Sequence, residues 1–161
     1  MKSLLLLATS VASSDWADSD RLSELWSSIA SASESQALEF LLVSDPSVAF
    51  ARSSDGRGGV WWGWEYGNLK ALSLLKAAGA DLFSSDADAN GISAKELCRA
   101  PTCNFESLSA EIENETEAAA ARLEQVKALI AAQEGAWEED SPPEDGEILP
   151  EQGVDVFDED L

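Results

Sequence analysis

Apolar residues recur at helical spacing along much of this chain, separated by glycine, proline and short polar runs. Leu22, Leu25, Trp26, Ile29 and Ala30 share one face at three- and four-residue intervals, which predicts an amphipathic helix. Ser33 and Gln36 form a capping box ahead of a second helix, Ala37-Leu38-Glu39-Phe40-Leu41-Leu42. Asp45-Pro46-Ser47 ends it, because the residue before a proline avoids helical geometry. Residues 48–57 then connect to a third helix, where Val60, Trp61 and Trp64 lie on one side. Gly67-Asn68 breaks that helix; Leu69, Leu72, Leu74 and Leu75 begin another, and Gly79 stops it by taking positive φ. A short unit from Asn90 to Cys98 is closed by Pro101. From Phe105 a long helix carries the stripe Leu108, Ile112, Ala119, Leu123, Val126 and Ile130. The alternating spacing resembles a coiled-coil seam, but heptads are few and Ala119 is small, so the stripe is read as a cover for the preceding helices. The pattern predicts an all-α domain.

The helices also repeat. Ala37 to Leu42 parallels Ala71 to Lys76, 34 residues further on, as expected when each helix pair needs a neighbour to cover its apolar side. Between Asp55 and Asp81 the order is Gly56, Gly67-Asn68-Leu69, Leu74-Leu75, then Gly79-Ala80-Asp81. This resembles an ankyrin repeat over residues 55–88. The chain departs from the family where Thr-Pro-Leu-His is replaced by Gly58-Gly59-Val60-Trp61, and again at Ser93-Ala94 and Cys98. The resemblance implies a stack of three helix-turn-helix units over residues 15–134, with residues 18–43 as an atypical first unit and the long helix capping the end. It also implies a protein-binding concave face lined by the first helix of each pair, with finger tips beside it. On matching positions that face takes Arg57, Gly59, Trp62, Glu65 and Tyr66.

Composition narrows the function. A formal net charge of -21 argues against nucleic acid or an anionic membrane as partner. The absence of histidine removes imidazole catalysis and histidine-ligated metals, and two cysteines are too few for a four-thiolate zinc site. The first 14 residues, one lysine and a short leucine run followed by small residues, read as a secretory signal peptide. From Glu134 onward there are twelve acids and no Lys or Arg, so residues 135–161 are read as a disordered acidic tail, able to associate weakly with calcium. The final Asp-Glu-Asp-Leu loosely resembles an endoplasmic-reticulum retrieval signal without its basic residue. The expected location is therefore the secretory pathway, retained or secreted.

Remaining chemistry is sparse. In an oxidising lumen Cys98 and Cys103 form a disulfide; in a reducing one they stay free thiols. Asn114-Glu115-Thr116 is an N-glycosylation sequon. Asp86, Asp88 and Asn90-Gly91 resemble the start of a calcium loop, but the twelfth position is Leu97, so they are read as a turn and no metal or cofactor is assigned. Trp61 and Trp64 point to the core in helical projection, whereas Trp62, Glu65 and Tyr66 point away from it. The reading is a non-enzymatic protein-binding module; the alternative is a carbohydrate platform with Trp62 and Tyr66 stacking on sugar faces.

Overall fold

The computed structural model describes residues 16–31 and 35–139, with side chains up to residue 133. The expected signal segment, Ser33 of the expected capping box and the chain beyond Glu139 lie outside them. The described residues are mostly helical and contain no strand. The helices are α1 (Asp20–Ala30), α2 (Ser35–Ser44), α3 (Gly59–Glu65), α4 (Leu69–Ala77) and α5 (Phe105–Glu139), with 3-10 turns at Pro46–Ala49 and Ala94–Leu97. The boundary expected after residue 134 is passed, since α5 continues to Glu139.

Local chemistry sets the ends of these elements. Ser19 caps α1 by accepting the Leu22 N–H at 3.2 Å. Asn68 caps α4 through the Ala71 N–H at 3.1 Å, and its amide donates to the Ile29 carbonyl at 2.8 Å, tying α4 to the end of α1. Between α3 and α4, Gly67 has φ +60°, and an added Cβ there would lie 2.8 Å from the Thr102 carbonyl oxygen. Only glycine fits that turn without displacement. Gly79, the expected helix stop, has φ +98°.

One core joins all five helices. Leu25, Ile29, Leu38, Trp64, Leu72, Leu75 and Ile112 are each no more than 1% exposed. α5 lies across α2 and α4, burying Leu108, Ile112 and Ala119, with Leu123 packed at the margin. The helix expected between Asn90 and Pro101 is only a four-residue 3-10 turn. It is capped reciprocally by Ser93 and Glu96, and Cys98 then leaves helical geometry to bond with Cys103.

Two loops project from the core with matching geometry. Each closes on one antiparallel bridge, Arg52 with Gly58 and Ala87 with Ser93, and each turns on a glycine at φ +79° (Gly56) or +78° (Gly91). The equivalent positions are 35 residues apart. Asp45 and Asp81 likewise make the same side-chain turn, accepting the Ser47 and Phe83 N–H groups. Asn104 accepts the Ser107 N–H at the start of α5, as Asn68 does at the start of α4.

Candidate functional site

The two projecting loops are fastened to each other and to the helices by charged and aromatic side chains. The Arg52 guanidinium lies 4.4 Å from the Trp16 ring centroid and 4.2 Å from that of Trp61, and it donates to the carbonyls of Gly56 and Ala87. Burial draws its pKa down, while Asp86, Asp88 and Asp55 act the other way. Across the gap, Arg57 Nε donates to Asp88 Oδ2 at 2.9 Å, and Asp88 Oδ1 accepts the N–H groups of Asn90 (2.8 Å) and Ile92 (3.0 Å). Burial raises the Asp88 pKa, but those N–H groups and the guanidinium outweigh it and hold the carboxyl below its ordinary range. The Asp88 bond in turn raises the Arg57 pKa. The Ala89 N–H donates to the Asp55 carbonyl at 2.8 Å, and Asp18 accepts both the N–H and the hydroxyl of Ser54. The Trp61 indole donates to the Ile92 carbonyl at 3.1 Å. These bonds give the loops a fixed shape.

Beside them runs a groove of about 380 Å³ between α1 and α3. Its α1 wall is Leu22, Ser23, Trp26 and Ser27, a single helical face; Ser53, Asp18 and Trp62 complete it. Trp26 is 46% exposed, so a large ring stands at the groove with its hydroxyl-bearing neighbours. This pairs apolar area with hydrogen-bonding groups on a rigid base, a combination suited to recognition.

The residues expected at the site are only partly brought together. Arg57 is half-buried and committed to Asp88; its Nη1 lies 3.7 Å from Glu65. Glu65 and Tyr66 are exposed at the end of α3. Gly59 corrects the expectation: it is buried, and an added Cβ would lie 3.0 Å from Leu75 and 3.2 Å from Leu25. Its role is to let α3 approach its neighbours. Trp62 is corrected too, being only 8% exposed. Helical projection points it away from the core, but α1 packs on that side as well and reduces Trp62 to the groove floor.

Cys98 and Cys103 are disulfide-bonded, with Cα atoms 5.0 Å apart. Asn114 is exposed on α5, and the Thr116 hydroxyl of its sequon donates to the Ile112 carbonyl. Asp88, read as part of a turn, is also the buried anchor for Arg57. Trp26 continues the stripe of Leu22 and Leu25 by spacing, yet stands 46% exposed. The signal for its exposure is faint: its neighbours Ser23 and Ser27 mark the polar side of α1.

The molecule thus belongs to the class of small all-α domains with paired loops beside a groove. No protein-family model, curated protein or solved structure matches the chain.

Proposed function

We propose that this protein is a protein-binding module built as a short ankyrin-like stack and working in the secretory pathway. Support for the stack is the recurrence, 35 or 36 residues apart, of the bridged glycine loops, the Asp45 and Asp81 turns, and the Asn68 and Asn104 helix caps. In this reading α1–α2, α3–α4 and the 3-10 turn with α5 are the three units, and α5 also covers the end of the stack. The disulfide supports an oxidising compartment.

The observation that carries the binding reading is Trp26, half exposed at a groove formed by the first helices of two units and flanked by braced loops. A partner burying that ring would gain apolar contact, with the Ser23 and Ser27 hydroxyls beside it fixing orientation. Carbohydrate stacking is less well served, because Trp62 offers no free ring face. A photoreactive residue at position 27 in a secreting cell should crosslink one defined protein. Capture should fall with Trp26→Ala and persist with Phe40→Ala on α2. Equal capture by both variants would overturn this assignment of the face.

A further inference from the structure

Of the four asparagines, only Asn114 is followed two positions later by a hydroxyl residue, Thr116, with Glu115 between them. Asn68 and Asn104 use their side chains to cap α4 and α5, and Asn90 sits in the turn held by Asp88. Asn114 lies inside α5, where asparagine is a poorer helix former than the glutamates on either side of it.

Successive residues of an α-helix turn by about 100°, so Asn114 stands about 200° round α5 from Ile112. Ile112 is 0% exposed and faces the core, and α5 packs on α2 and α4. Asn114 is therefore on the opposite side of the helix, and it is exposed there. A bulky hydrophilic group on its amide would meet solvent rather than a packed neighbour. The groove that holds Trp26 lies elsewhere, between α1 and α3.

The same rotation of about 200° separates Asn114 from Thr116, so their side chains point to different sides of α5. Thr116 is half-buried, and its hydroxyl donates to the Ile112 carbonyl at 2.6 Å. A transferase that recognises the amide and the hydroxyl together cannot hold both in one pocket while this turn is helical. The segment has to be open at the moment of transfer. It is open during synthesis, because an isolated helix is marginal in water and α5 is held by packing Leu108, Ile112 and Ala119 into the core.

Resting on the secretory-pathway reading above, we propose that Asn114 carries an N-linked oligosaccharide, attached before α5 docks. The donor is an oligosaccharide joined to a lipid through pyrophosphate. The Asn114 amide nitrogen attacks the anomeric carbon of that sugar. A carbon–nitrogen bond forms, the carbon–oxygen bond to pyrophosphate breaks, one amide proton is released and the lipid pyrophosphate leaves. The sugar then gives the outer face of α5, acidic at Glu111 and Glu117, an uncharged cover.

Two forms of the full chain test this in cultured animal cells: one with its own first residues, one with an added leader from a secreted protein. Both should lose gel mobility to a glycan that peptide-N-glycosidase removes, converting Asn114 to aspartate in the peptide mass. Asn114→Gln and Thr116→Ala should abolish the modification, and Thr116→Ser should retain part of it. A secreted but unmodified chain in both forms would overturn the Asn114 assignment and leave the compartment standing. Modification only behind the added leader would overturn the compartment, and with it the proposal for the native chain. The order of events is read separately, by offering unmodified purified full chain and a lipid-linked donor to solubilised transferase. The folded native chain should not be modified, whereas Ile112→Asp, which puts a charge in the core and releases α5, should be. Equal modification of the two would show that α5 need not open, and would overturn that part.

Discussion

Trp26 and Trp62 line one groove but carry different loads. Trp62 is almost wholly covered, so Trp62→Ala removes packed area and leaves a cavity; the expected loss is about 3–5 kcal/mol. Trp26 gives up far less on truncation, and Trp26→Ala should cost under about 1 kcal/mol. Urea denaturation of the two variants reads the difference directly. Gly67 presents the backbone counterpart. Gly67→Ala combines positive φ with the nearby Thr102 carbonyl and should destabilise by about 2 kcal/mol. Gly91→Ala, at similar φ with nothing within 4 Å, should lose about half of that. Comparable melting points for the two glycine variants would mean that the Thr102 contact gives way freely.

At the scale of elements, the two loops depend on Asp88. Its folded pKa lies below the unfolded value, so the stabilisation it gives is present above the ordinary carboxylate range and is lost as pH falls through the folded value. The window is below about pH 4. Melting temperature should fall across that window in the native chain and less steeply in Asp88→Asn, which is already weakened at neutral pH. Asp88→Ala should cost about 2–3 kcal/mol at neutral pH, because the Arg57 guanidinium and two N–H groups lose their acceptor. A parallel acid response in native and Asp88→Asn proteins would assign the acid sensitivity to other carboxylates.

For the whole molecule the dominant quantity is the net charge of -21. Self-repulsion of this size opposes compactness and is screened by salt, so melting temperature should rise between low ionic strength and about 0.15 M sodium chloride. Residues 140–161 carry nine acids and no base. A chain ending at Glu139 should show a smaller salt response; an unchanged response would place the repulsion within the helical domain. α5 tethers the charged end to the core through Leu108, Ile112 and Ala119, aided by the Lys76–Glu113 and Arg122–Glu39 ion pairs.

The helices were legible because period and punctuation are local properties. The spacing of Leu22, Leu25 and Ile29, and of Leu72 and Leu75, marks core faces, while Gly67, Asn68 and Gly79 mark turns and ends. The Cys98–Cys103 disulfide was one of two readings of a closely spaced pair, and the structure shows the bond. What the sequence left undecided depends on how many neighbours a helix meets. α3 is enclosed by α1, α4 and the 3-10 turn, so Trp62 is buried although its helical position faces away from the first core side. The opposite happens at Trp26, which keeps the period of a core residue but stays 46% exposed, with no helix among the described residues covering its outer edge. Long-range partners are equally silent in a linear pattern: Arg57 meets Asp88 across 31 positions, and Glu39 meets Arg122 across 83. Hydrophobic spacing marks the main apolar face of each helix, whose burial the hydrophobic effect favours. Which polar side chains meet, and which cavity stays open, is decided only when the helices pack.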